Sequence, residues 1–266
     1  MMVYRQRGDG PMLLAQPHSG TRLPDDIAAR LNGAGRVLAD TDWHVDRLYD
    51  GLLDDATVVR ATFSRYVIDA NRDPENRSLY PGMNTTGLCP SVDFDGGPIY
   101  EDGQEPSDEE IQLRRRKFHA PYHEALSEEI ERIRRRHGLV ILYDCHSIRS
   151  HVPYLFVGTL PVFNIGTFEG RSCAPAIEKL ASEICNAAPG YNTVLNGRFK
   201  GGWTTRHYGA PLDGVHAIQM ELAQRAYMEE APPWTYLPER ADALRIHLKE
   251  LLEELRAFAL SGELSH

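Results

Sequence analysis

The sequence predicts an α/β fold, a central sheet covered on both faces by helices, and three runs predict it. Met12-Leu13-Leu14-Ala15-Gln16, Leu139-Val140-Ile141-Leu142-Tyr143 and Val215-His216-Ala217-Ile218-Gln219-Met220 are short and largely apolar. Such runs read as strands buried on both sides. Each delivers polar chemistry at its end: Pro17-His18-Ser19-Gly20, Asp144-Cys145-His146-Ser147 and Glu221-Leu222. Open α/β sheets bind ligands beyond the carboxyl ends of their strands. An imidazole there, with a carboxylate two residues back, is unfavourable for packing alone. Two histidines and a glutamate at three strand ends are the residue types of a catalytic metal site plus a general base.

The remaining elements follow in order. Pro24 to Asn32 is expected to be a short helix, with Asp25 and Asp26 at the positive end of its dipole. Asp42 to Asp55 is another, striped by Val45, Leu48, Tyr49, Leu52 and Leu53. Thr57 to Phe63 and Arg65 to Asp69 read as strands, the second leading into Ala70-Asn71-Arg72. Ser107-Asp108-Glu109-Glu110 caps a long helix that reaches about His137, where Gly138 stops it. Ala174 to Ala187 and Glu239 to Ala259 are further helices. Residues 73–106 are rich in Pro, Gly, Asn and Asp. A loop that long in a compact domain is usually functional or disordered. Because it follows Arg72 directly, it is expected to form a wall or lid over the site, with a variable surface excursion as the alternative.

Composition sets bounds. The 266 residues suit one domain spanning 1–266, and 42% hydrophobic with 25% charged residues is ordinary for a globular enzyme. A net charge of -9 argues against nucleic-acid binding, which needs a basic surface. No apolar stretch approaches the ~20 residues of a membrane span, and Met1-Met2-Val3-Tyr4-Arg5 lacks the apolar core of a secretion signal. Cys89, Cys145, Cys173 and Cys185 are scattered, so neither a disulfide framework nor a zinc ribbon is indicated, and a cytoplasmic location is expected.

The segments Pro17-His18-Ser19-Gly20, Asp40-Thr41-Asp42-Trp43-His44, Ser64 to Arg72, Asp144 to Ser150, Asn196 to Gly202 and Gln219-Met220-Glu221-Leu222 occur in this order. Together they resemble the N-formylglutamate amidohydrolase family over nearly the whole chain. The resemblance implies a three-layer α/β/α fold with a central mixed sheet, of zinc-carboxypeptidase type. It also implies hydrolysis of N-formyl-L-glutamate to glutamate and formate, the last step of one route of histidine breakdown.

That chemistry needs a strong nucleophile at neutral pH, and a bound Zn²⁺, or another divalent metal, lowers the pKa of its water to roughly 7. His18 and His146 are the expected ligands, with Asp42 as the third. The wider peptidase fold has its carboxylate three residues after the first histidine, where this chain has Thr21, so Asp40 and His44 stay in reserve. A helix cap is the other reading of Asp42, and Asp144 is expected to orient an imidazole. Glu221 is the expected general base; its alternative is a surface pair with Arg225.

A small dianionic N-acyl amino acid needs a local cationic cluster in an acidic protein. Asn71 and Arg72 match the pair that grips a carboxylate in the wider fold, with Arg206 next and Arg65 and Arg198 after it. His119 and His123 stand four apart on the long helix but lack strand-end context, so a structural role is expected. Arg114-Arg115-Arg116-Lys117 and Arg134-Arg135-Arg136 read as a solvated face. Cys145 should point away from the site as a small buried residue; a cysteine hydrolase is the alternative. Two rival functions remain. One is a zinc hydrolase acting on another N-acyl amino acid or a peptide C-terminus. The other is a non-enzymatic binder of acidic metabolites.

Overall fold

The computed structural model describes residues 2–79 and 81–263. Seven strands form one sheet: β1 (Val3–Gln6), β2 (Met12–Gln16), β3 (Thr57–Ala61), β4 (Val140–Ile148), β5 (Phe163–Gly166), β6 (Thr193–Leu195) and β7 (Val215–Ala223). Their spatial order is β1-β3-β2-β4-β7-β5-β6. The central strands β3, β2, β4 and β7 are parallel. β1 pairs antiparallel with β3, and β5 antiparallel with β7, so the sheet is mixed.

Among the described residues the α-helices are α1 (Asp25–Ala28), α2 (Gly33–Arg36), α3 (Val45–Tyr49), α4 (Asp108–Arg114), α5 (Ala120–His137), α6 (Pro175–Ala187), α7 (Trp203–Tyr208) and α8 (Pro238–Leu260). Strand alternation sorts the core into two layers. Met12, Leu14, Ile141, Tyr143, Ile218 and Met220 pack with α3, α6 and α8. Leu13, Ala15, Val140, Leu142, Val215 and Ala217 pack with α5 on the other face. By the same parity Asp144, His146, Gln219 and Glu221 share the α5 face. The core strands β2, β4 and β7 are buried along their whole length, as the apolar runs predict. The expected α/β/α layering with a mixed sheet is therefore observed.

Several elements differ from the sequence reading. Residues 65–69 do not form a strand. Ser64 folds the chain into a turn, its carbonyl accepting from Val67 N–H at 2.9 Å and its hydroxyl from Tyr66 N–H at 3.2 Å. Serine offers the backbone this local alternative to a ladder. The segment from Pro24 to Asn32 is helical only over α1, and Asn32 instead caps α2 through Gly35 N–H. The helix expected from Asp42 shrinks to α3, because His44 takes a left-handed conformation at φ 62° just before it. The long helix is present, but a π-helical turn, Arg115–His119, separates α4 from α5. Arg114 is a correction to the solvated-face reading. It is buried, ion-paired with Glu110, and donates to the Val67 carbonyl at 2.9 Å.

Candidate metal centre and active site

The first strand end, β2 followed by Pro17, turns His18 back over the sheet, and the His18 carbonyl accepts from Asp42 N–H at 3.1 Å. That bond brings the 40–44 segment beside β4, whose His146 lies within the strand, two residues before its end. His18, Asp42 and His146 converge, all buried. The two Nδ1 atoms are 3.2 Å apart, and Asp42 Oδ2 lies 3.7 Å from His18 Nδ1 and 3.1 Å from His146 Nδ1. Tetrahedral bonds of 2.0–2.1 Å put donor atoms about 3.3 Å apart, so this spacing suits a divalent cation. Buried Asp42 Oδ1 accepts no hydrogen bond and has the Arg65 guanidinium 3.6 Å away.

Both imidazoles are oriented from behind. His18 Nε2 is 2.7 Å from Asp69 Oδ1, and His146 Nε2 is 3.1 Å from Asp144 Oδ2. An N–H given to a carboxylate on one side leaves the Nδ1 lone pair free on the other. Burial opposes charge on His146, but Asp144 and Asp42 outweigh it and hold its pKa well above the usual range. Burial likewise would raise Asp42, yet bonds to His146 and His18 bring it far below an ordinary carboxylate. Asp69 is lowered too, against its burial, by Arg72, Arg65 and His18.

The reserve ligands are committed elsewhere. Asp40 accepts from Tyr66 O–H and Phe94 N–H, both at 2.9 Å, and burial raises its pKa to about 6. His44 donates to the Trp234 carbonyl at 2.6 Å. Asp42 does not cap α3 with its side chain; its Oδ2 accepts from Ser147 N–H at 3.2 Å instead.

Glu221 stands opposite His146 in the β4–β7 register. Paired positions of neighbouring strands project on the same face. Burial raises the Glu221 pKa to about 8, and Gln219 Nε2 donates to its carboxylate at 3.1 Å. The expected alternative, a pair with Arg225, is not what the structure shows. Cys145 points to the opposite face, into the core with α8, and burial pushes its thiol well above the usual range. A thiolate nucleophile there has no access to the cavity.

His18, His146 and Glu221 line one cavity together with Arg65, Asn71, Arg72, Arg198 and Gln219. Asn84, Thr85, Thr86 and Phe94 of the long 73–106 loop form part of its wall. Arg72 is anchored on that loop, donating to the Thr86 carbonyl and hydroxyl, both at 3.0 Å. Arg198 donates to the Leu155 carbonyl at 2.9 Å. Arg65 is buried against Asp69 at 2.6 Å and Asp42 at 3.6 Å. It balances the acidic residues around the centre. Arg206 is not brought to this cavity. Its guanidinium donates to the Gly201 and Leu79 carbonyls at 2.8 and 3.1 Å and lies over the Phe168 ring.

Asn71 is held on three sides. Its carboxamide oxygen accepts from Thr204 N–H at 2.8 Å, its backbone N–H donates to Asp69 at 2.8 Å, and its amide nitrogen donates to Asp144 Oδ2 at 3.5 Å. Gly202 permits this, because a Cβ there would lie 2.3 Å from the Asn71 amide nitrogen. Asp69, Thr204 and the start of α7 were not singled out from sequence. Their roles depend on convergence of distant segments, for which no local periodicity exists.

A family model described as N-formylglutamate amidohydrolase matches residues 10–228. The chain is 48% identical to an N-formylglutamate deformylase of Pseudomonas aeruginosa over 254 residues, 95% of each chain. It is 47% identical to an N-formylglutamate deformylase of Pseudomonas putida over 253 residues, 95% of this chain and 94% of that one. Among solved structures, an N-formylglutamate amidohydrolase from Ralstonia eutropha JMP134 superposes with a TM-score of 0.82 at 26% identity, covering 98% of this chain and 99% of that one. The chain therefore belongs to the N-formylglutamate amidohydrolase family.

Proposed function

We propose that this protein hydrolyses N-formyl-L-glutamate to glutamate and formate. The placement of Glu221 carries the reading: a buried carboxylate, raised to about 8, opposite a histidine that shares a cation-sized cluster with His18 and Asp42. A non-enzymatic binder has no use for such a group. His18 and His146 through Nδ1, and Asp42 through its carboxylate, would hold a divalent cation, with zinc the family expectation. When bound, that cation supplies the Lewis acidity that makes water nucleophilic near neutral pH.

The chain's own residues supply the rest. Glu221 accepts the proton that the attacking water loses as its oxygen bonds to the formyl carbon. It then delivers that proton to the departing nitrogen as the C–N bond breaks, releasing formate and the amine. Arg72 and Arg198 meet the substrate carboxylates, with Asn71 beside Arg72. Phe94, Ile148, Leu155 and Phe199 line the same cavity and suit the methylene chain. The reaction's place would be the final step of histidine breakdown, as the family resemblance implies.

The test is formate release from N-formyl-, N-acetyl- and N-succinyl-glutamate, with and without chelator. Formyl-selective, chelator-sensitive turnover is expected. Equal rates on the larger acyl groups would point to a broader N-acyl hydrolase, and unchanged turnover after verified metal removal would remove the cation from the mechanism.

A further inference from the structure

Three side chains on the helical hairpin-free run from α4 to α5 form a row of donors along the segment that carries Asn71 and Arg72. Arg114 gives a hydrogen bond to the Val67 carbonyl at 2.9 Å, His123 Nε2 to the Ala70 carbonyl at 2.8 Å, and His119 Nε2 to the Arg72 carbonyl at 3.1 Å. The π-helical turn Arg115–His119 sets their phase. A five-residue step links Arg114 to His119 across that turn, and an ordinary four-residue step links His119 to His123. Were that turn an ordinary α-helical one, the five-residue step would rotate Arg114 about 100° further from the face that the histidines share.

Both histidines are buried and neither lines the substrate cavity. They stand behind the Asn71-Arg72 peptide, and their rings pack on Trp203, the first residue of α7, with centroids 5.7 and 4.6 Å away. The next residue, Thr204, fixes the Asn71 carboxamide through its N–H. His123 Nδ1 faces the Tyr208 hydroxyl at 3.0 Å, which leaves Nε2–H for Ala70. Burial holds both pKa values below the usual range, so each ring is a neutral, single-proton donor.

We infer that His119 and His123 are positioning residues for substrate capture, clamping the two carbonyls that flank Asn71 so that Asn71 and Arg72 face the cavity. This rests on the reading that Arg72 meets a substrate carboxylate. A buried carbonyl that loses its donor draws the backbone toward water or another partner. Small displacements of a capturing group cost substrate binding and rate steeply.

The test is a double-mutant cycle on the metal-loaded enzyme. His119→Leu removes the donor; His119→Gln keeps an N–H near the Nε2 position. His119→Asn keeps polarity with a shorter reach and serves if the leucine variant fails to fold. The leucine or asparagine variant is expected to raise KM for N-formylglutamate roughly 10- to 100-fold with metal content unchanged, and the glutamine variant to recover most of that loss. In an Arg72→Ala background the same His119 substitution should add little, because the two act through one contact. A purely structural histidine would lower Tm while leaving KM unchanged, and that result overturns the inference. If Arg72→Ala itself left KM unaltered, the carboxylate reading would fail first, and the inference with it. If Arg72→Ala raised KM and the His119 variants did not, only the positioning role would fall.

Discussion

His18 Nε2 lies 2.7 Å from Asp69 Oδ1, and this contact sets which face the first imidazole shows to the centre. Asp69 is fully buried and is also held by Arg65 at 2.6 Å, so its carboxylate has little freedom to follow a displaced ring. The Asn71 N–H bonds to the same Oδ1 atom at 2.8 Å. One carboxylate thus ties His18 of the candidate metal centre to the turn that carries Asn71 and Arg72.

Asp69→Asn is expected to weaken metal affinity by roughly 10- to 100-fold, the usual effect of losing such a supporting carboxylate. Titration against a competing chelator reads it. Unaltered affinity would mean that His18 is oriented by other contacts.

Glu221→Gln keeps the shape of the side chain and its bond to Gln219 but removes the basic oxygen. Metal content should stay at one equivalent per chain, while kcat falls by about 10²–10⁴. Near-normal turnover would take Glu221 out of the mechanism.

Metal uptake should be linked to pH. In the metal-free protein His146 favours its charged form, because Asp144 and Asp42 outweigh its burial. A ligand must be deprotonated to bind, so the cation expels that proton. Calorimetry at pH 7 in buffers of different ionisation enthalpy should show net release of about one proton, with affinity falling as pH falls. Net proton uptake would contradict the assigned ligand.

Gly202→Ala probes the packing around Asn71. A Cβ there would lie 2.3 Å from the Asn71 amide nitrogen, so the carboxamide must move away from His146 and Thr204. kcat/KM is expected to drop on the order of 10- to 100-fold with metal binding intact. An alanine variant of full activity would show that Asn71 needs no fixed pose.

Much of the centre was legible from sequence because it is built at strand ends. An apolar run followed by histidine or glutamate is a local pattern, and His18, His146 and Glu221 each stand on one. Asp42 was harder to place, since a carboxylate beside a helix start reads equally as a cap; the structure turns its side chain to His146 and the Ser147 N–H instead. Asn71 and Arg72 line the same cavity as His18, His146 and Glu221 although the strand expected before them is a turn, because the motif does not depend on the secondary structure. Arg206 is turned to the Gly201 and Leu79 carbonyls, a destination that no local pattern of the sequence encodes. β1, β5 and β6 span only three or four residues each. Segments so short carry too few alternations to register as strands.

The pairing of His146 with Glu221 across neighbouring parallel strands constrains how this architecture can diversify. A slip of one residue in β7 would swing Glu221 through the sheet to the side where Cys145 lies, so insertions and deletions within β4 or β7 are expected to abolish the proposed chemistry. Loop segments such as 73–106 and 196–202 carry no such restriction. New substrate preferences within this lineage should therefore arise by remodelling those walls, while the spacing between His146 and Glu221 stays locked by main-chain geometry.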